Sequence, residues 1–164
     1  MTIKTLWPLL ALLALLSFSC TTDSFSEEDI NTITLENAPT AKTIEIEILE
    51  LINAHRIEKG LNPLNNLDVI KSVAYTHTDY MVTKNVVNHN NFYQRKESLI
   101  QNASATKVTE NVAYAYSTAQ GVVNAWLNSE GHRENIEGDF TDFDISAEQN
   151  SEGKWYYTNI FIKR

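Results

Sequence analysis

At 164 residues, 43% hydrophobic and 21% charged, the chain has the length and apolar content of one domain with its own core. Its 13 Lys and Arg stand against 21 Asp and Glu, a net charge of -8, so no nucleic acid is expected as a partner: neutralising a phosphate backbone needs clustered cations. A single cysteine excludes an intramolecular disulfide scaffold, and five Gly with three Pro exclude collagen-like and low-complexity chains.

Lys4 precedes an unbroken apolar run from Leu6 to Leu16. That run is about half of the ~20 residues a membrane-crossing helix needs, and with its basic start it has the form of a secretory signal. It ends in Leu16-Ser17-Phe18-Ser19-Cys20, which resembles a bacterial lipobox, with Phe18 bulkier than the usual small residue. The expectation is a signal peptide over 1–19 and a membrane partner held through lipid on Cys20. The plainer reading is a signal peptide cut nearby with Cys20 incidental. Lipidation also accounts for a lone exported thiol that would otherwise be reactive. Residues 20–40, rich in Ser, Thr, Asp, Glu and Asn, read as an acidic tether with room for a short strand at Ile30 to Leu35. The globular domain is expected over 41–164.

From Ala41 the pattern becomes helical. Ile44, Ile48, Leu51, Ile52 and His55 recur on one face, Gly60 stops the helix, and Asn62-Pro63 turns the chain. A second helix starts near Asn66 or Asp68 with the stripe Ile70, Val73, Ala74, His77 and Met81, and a shorter one is expected from Asn91 to Asn102. Val108 to Tyr116 alternates as a strand that Asn111 interrupts. Thr118 caps the next helix, whose stripe is Ala119, Val122, Val123, Trp126 and Leu127, and Gly131 closes it in a left-handed conformation. Phe143, Ile145 and Ala147 then alternate as a strand. Ser151-Glu152-Gly153 turns the chain into a last strand, with Trp155, Tyr157 and Phe161 on one face and Tyr156, Ile160 and Ile162 on the other. Helices lead and strands follow, so the fold class is α+β with a largely antiparallel sheet.

Of the four histidines, His55 and His77 lie on apolar stripes and read as partly buried rings satisfied by neighbours. His89 and His132 sit just past helix ends in polar stretches, where a scaffold presents side chains to a cleft. No helical zinc pair, nucleophile elbow or phosphate-cradling glycine loop is present. His89, Glu110 and His132 are far apart along the chain, so any shared site must be assembled by tertiary folding.

Specific blocks then resemble one family. Glu110-Asn111-Val112-Ala113-Tyr114, followed by Trp126-Leu127-Asn128-Ser129-Glu130-Gly131-His132-Arg133-Glu134-Asn135-Ile136, is similar to the signature of the CAP superfamily of cysteine-rich secretory proteins, antigen 5 and pathogenesis-related 1 proteins, in its disulfide-free bacterial branch. The pieces Asn53-Ala54-His55-Arg56 and Gly60-Leu61-Asn62-Pro63-Leu64 match the family's opening, and Ala74 to Met81 its second helix. Thr109 stands where the family has Gly. The resemblance implies an α-β-α sandwich, a central mainly antiparallel sheet between helical layers, and a cleft with a His/Glu tetrad.

By position, His89, Glu110 and His132 match three tetrad members. The fourth position holds Ser129, and Glu130, one residue later, is a weak substitute that reads as surface. Such a trio implies chemistry of three kinds. His89 and His132 could hold Zn or another divalent cation, with Glu110 as the candidate catalytic base of a metal-dependent, peptidase-like hydrolase. The cleft could instead bind a small ligand, lipid or protein without catalysis. Or the trio ties three layers together through buried hydrogen bonds, as Asn111 does by bonding loop backbone and Arg133 and Asn135 do as an ion pair and a cap. The expected location is the bacterial cell envelope, on the outer membrane or cell surface, and a purely adhesive role for the tether is a third class of function.

Overall fold

The computed structural model describes residues 37–164, so the expected signal, Cys20, most of the tether and the short strand at Ile30 to Leu35 lie outside the described residues. Nine elements follow in order: α1 (Thr43–Glu58), β1 (Asn65–Asn66), α2 (Asp68–Lys84), α3 (Phe92–Ala103), β2 (Lys107–Tyr114), α4 (Ala119–Asn128), α5 (Glu130–Glu137), β3 (Asp142–Gln149) and β4 (Trp155–Lys163). The strands form one sheet in the order β1-β3-β4-β2. β4 pairs antiparallel with both neighbours, and the two-residue β1 adds a short parallel pairing to β3.

The alternation along the strands sorts side chains into two helical layers. Phe143, Ile145 and Ala147 of β3, Tyr157 and Phe161 of β4 and Ala113 of β2 pack with Ile48 and Ile52 of α1, Val122 and Trp126 of α4 and Ile136 of α5. On the other face, Val108 of β2 and Ile160 and Ile162 of β4 pack with Ile70, Val73 and Ala74 of α2 and Leu99 of α3. Met81, Val112 and Tyr156 continue that second core. The result is an α-β-α sandwich. Both faces of β4 are buried, which is why its two alternating sets are both apolar.

The chain punctuation has local causes. Gly60 and Gly153 take φ of 73°, a conformation that costs glycine nothing. Thr118 caps α4 by accepting from the Gly121 amide at 3.1 Å. Asn53 accepts from the Leu64 amide at 2.8 Å and donates to its carbonyl at 3.0 Å, and Arg56 donates to the carbonyls of Asn62, Ile136 and Gly138. The Asn-x-x-Arg pattern is thus a scaffold that ties α1 to two turns.

Two expectations change. Gly131 does not close α4 in a left-handed cap: α4 ends at Asn128, Ser129 is extended at φ -102°, and a new helix, α5, begins at Glu130 with Gly131 inside its first turn. Ile136, fully buried, is the apolar anchor that makes this polar octapeptide worth folding as a helix. Asn111 does not interrupt β2 either. It pairs with Asn159 within the strand and sends its side chain, fully buried, to the α5 layer.

Candidate functional site

β2 is an edge strand, and its alternation sends Glu110 to the α2–α3 side and Asn111 to the α5 side. The free edge of β2 therefore has helical layers on both flanks, and this is where the candidate residues meet. The edge itself is covered by side chains: Trp126 Nε1 donates to the Val112 carbonyl at 3.1 Å, and Asn135 Nδ2 donates to the Glu110 carbonyl at 3.3 Å and to Asn111 Oδ1 at 2.8 Å. Asn111 Nδ2 in turn donates to the His132 carbonyl at 3.1 Å. Arg133 donates to the Leu127 carbonyl in the last turn of α4 at 2.9 Å, and so, like Asn135, it holds backbone.

The Glu110 carboxylate is buried, and each of its oxygens meets a cationic or cation-forming donor. Arg95 Nε lies 2.7 Å from Oε2 and Arg95 Nη2 2.8 Å from Oε1, a two-pronged clamp; His89 Nδ1 lies 2.8 Å from Oε1. Burial alone would raise the carboxyl's pKa, but the hydrogen bonds from His89 and Arg95 and the guanidinium charge hold it below its ordinary value. A carboxylate only accepts, so His89 Nδ1 carries the proton and Nε2 is the open ring position. Glu110 side-chain exposure is 1% and Arg95's 3%, whereas that of His89 is 52%. A dry ion pair thus presents a half-wet imidazole.

His132 stands in the first turn of α5, and its Nδ1 is 2.8 Å from Ser129 Oγ. Burial and the nearby His89 push its pKa down, so the two rings share one electrostatic environment. Ser129, at the position where the tetrad's second acid would stand, orients this ring with a hydroxyl. Glu130 is exposed on α5.

Two imidazoles are the metal-capable donors of the cleft. Among the described residues no group of three or more His, Cys, Asp or Glu side chains could share a metal ion. Both Glu110 oxygens are committed to Arg95 and His89, and a buried guanidinium beside them disfavours a cation. A resident zinc is ordinarily held by three or four protein ligands, so this set fits one poorly. The same commitments make Glu110 an orienting group for His89 rather than a free base.

A family model described as the cysteine-rich secretory protein family, CAP, matches residues 49–161. The chain belongs to the CAP family. The CAP domain here is 32% identical over 126 residues to the uncharacterized membrane protein YlbC of Bacillus subtilis, covering 74% of this chain and 35% of that one. It is 34% identical over 113 residues to the uncharacterized protein YkwD of the same organism, covering 66% and 43%. The chain thus spans well under half the length of these relatives. In structure it is similar to an outer surface protein of Borrelia burgdorferi, with TM-score 0.67 at 22% identity over 79% of this chain and 99% of that one. It also resembles an extracellular SCP-domain protein of Bacillus anthracis, with TM-score 0.63 at 26% identity over 73% and 40%.

The CAP fold brings His89, Glu110 and His132 to one edge of the sheet, where tertiary folding had to assemble them. His77, expected to be a satisfied, partly buried ring, is buried at 2% exposure with Nε2 2.8 Å from the Asn88 carbonyl. His55 is less buried and lies 2.8 Å from Glu137. Arg95 is the site residue that sequence reasoning missed. Its signal was there: Arg95, Leu99 and Ala103 share one buried face of α3, and an arginine on such a stripe needs a buried acid. A groove of about 560 Å³ on the opposite flank, lined by Ile46, Leu49, Asn53, Ile57, Lys71 and Asp144, contains no histidine. Among the described residues no helix is long and apolar enough to cross a membrane.

Proposed function

We propose that this chain is an exported, lipid-anchored CAP module of the bacterial cell envelope that binds a ligand or partner at the His89/Glu110/His132 cleft without carrying out a reaction there. The observation that carries the reading is the contrast in exposure at the site: an imidazole half open to solvent, supported by a carboxylate and a guanidinium almost wholly removed from it. A purely structural network would bury the ring with its partners. The relatives' names, outer surface protein, extracellular protein and membrane protein, and the run ending in Cys20 support the envelope location.

The test follows the ring Cε1 protons of His89 and His132 by NMR in the full chain. The probes are Zn2+, acetate, inorganic phosphate, peptidoglycan fragments and phospholipid vesicles. The reading expects saturable shifts of both rings with at least one probe, and loss of the accompanying backbone amide shifts around the cleft in the His89→Ala/His132→Ala double variant. Rings that move with none of them, or binding that survives the double substitution, would overturn it. For the anchor, labelled palmitate is expected to enter the wild-type chain in a bacterial host and not Cys20→Ala.

A further inference from the structure

The loop between α2 and α3 carries His89, and the backbone carbonyls on either side of that residue are both held by buried cations or rings. His77 Nε2 lies 2.8 Å from the Asn88 carbonyl, and Arg95 Nη1 donates to the Asn90 carbonyl at 2.7 Å. A carbonyl only accepts, so His77 Nε2 carries its proton. Arg95 Nε and Nη2 are at the same time engaged with Glu110, the acceptor of His89 Nδ1. One guanidinium therefore fixes both the acceptor of the ring and the backbone next to it. The loop folds back on itself through Asn90 N to Asn88 Oδ1 at 2.9 Å and Phe92 N to the His89 carbonyl at 3.1 Å, with Asn91 at φ 60°. Nothing in that loop packs as a core: Val86, Val87, His89 and Asn90 are exposed. The two clamps beneath it hold the carbonyls that flank His89, and two further bonds hold the loop's side chains, Asn90 Nδ2 to Tyr80 Oη at 3.3 Å and Tyr156 Oη to Asn85 Oδ1 at 2.6 Å.

We propose that Arg95, with His77 on the other side of the loop, is the positioning residue of the cleft. Its guanidinium keeps Glu110 an acceptor and pins Asn90, so that neutral His89 keeps its proton on Nδ1 and turns a lone pair on Nε2 toward the occupant. The ligand class this favours is one that offers an O–H or N–H donor to the ring. The inference rests on the cleft reading above and adds what the cleft is built to present. The groups that bear on His89 are Glu110 of β2, Arg95 of α3, His77 of α2 and His132 of α5.

The decisive readout is the tautomer of neutral His89, taken from long-range 1H–15N correlations of the imidazole in the ligand-free full chain. Wild type is expected to be predominantly Nδ1–H. Arg95→Met should shift the ratio toward Nε2–H by about tenfold, the equivalent of weakening one charge-assisted hydrogen bond. Arg95→Lys keeps the charge but cannot fork to Glu110 and reach Asn90, and should give an intermediate ratio. His77→Gln can still donate to Asn88 and should leave the ratio near wild type. A folded Arg95→Met or Arg95→Lys protein with the wild-type ratio would reduce Arg95 to a structural ion-pair partner. An Nε2–H tautomer in wild type itself would overturn the proposal without any variant. Because these spectra are recorded without ligand, their outcome is separate from whether any probe binds.

Discussion

The two sides of the sheet each hide a carboxylate beside a cation, and the two arrangements serve different ends. At β2 the pair is Glu110 with Arg95; at β3 it is Glu45 with Lys71, whose ammonium is 2.7 Å from Glu45 Oε2. β1 covers only the first two residues of β3, and beyond that point the Glu45–Lys71 pair takes over the work of a neighbouring strand. Glu45 Oε1 accepts from the Ala147 amide at 2.8 Å and Lys71 Nζ donates to the Ile145 carbonyl at 3.2 Å, so one residue from each of two helices completes the ladder. The close partners there are backbone groups and Lys71, whose side chain is only 12% exposed, with the Lys42 ammonium further off at 3.9 Å from Glu45 Oε1. At β2 the same chemistry ends in a half-exposed histidine. A buried charge pair is therefore no mark of a functional site by itself; what distinguishes the cleft is the ring it holds out.

The largest effect that sharpens this contrast is expected for Glu45→Ala. It leaves Lys71 without its carboxylate and the Ala147 amide without an acceptor, and should destabilise the domain by about 3–5 kcal/mol in urea unfolding while leaving the His89 tautomer untouched. Glu110→Gln keeps one acceptor oxygen but strands Arg95, and is expected to cost about 2–3 kcal/mol and to alter the His89 tautomer as well. If the two variants had the same spectroscopic consequence at His89, the division between a sealing pair and a presenting pair would fail.

A third, smaller effect concerns Asp144, beneath the groove on the β3 side. Burial raises its pKa to about 6, although the Ile145 and Leu67 amides donate to it at 2.9 and 3.2 Å and lower it in part. Between its unfolded value and about 6 the folded state binds the extra proton, so this group's contribution to stability falls as pH rises through that window. The stability of wild type relative to Asp144→Asn should decline by about 2 kcal/mol from pH 4 to pH 7, measured by urea unfolding at each pH. Glu110 has the opposite sign: its depressed pKa adds stability above the unfolded value, and this is lost as pH falls through the folded one. The smallest effect is expected for His89→Ala. With the ring half exposed and Arg95 still clamping Glu110, unfolding free energy should change by less than about 1 kcal/mol. A large loss would make His89 part of the frame.

Much of the fold was legible because its signals are periodic and local. The opposed apolar sets of β4, the helix starts at Asp68 and Thr118 and the turn at Gly153 all express alternation, capping or backbone freedom within a few residues. The restart at Ser129 was not legible, because a short polar helix is held by contacts distant in sequence: Ile136 in the core, the Asn111 and Asn135 side chains bridging to β2, and the Arg56 guanidinium on carbonyls at its far end. At the site, the resemblance singled out His89, Glu110 and His132, and the fold brings them to one edge. Arg95 went unnoticed because nothing local tells a buried arginine from a solvated one; the acid it needs is supplied by a strand that follows in the sequence. Ser129's role was hidden for a similar reason, since its partner His132 lies one helical turn on in a helix that periodicity did not reveal.

Both margins of the sheet end up closed by side chains: Trp126 and Asn135 occupy carbonyls along β2, and Glu45 and Lys71 do the same along β3. An open ladder invites another polypeptide to extend it. Over these stretches the Glu110, Val112 and Ile145 carbonyls and the Ala147 amide are already engaged, which leaves fewer backbone groups for an added strand to pair with.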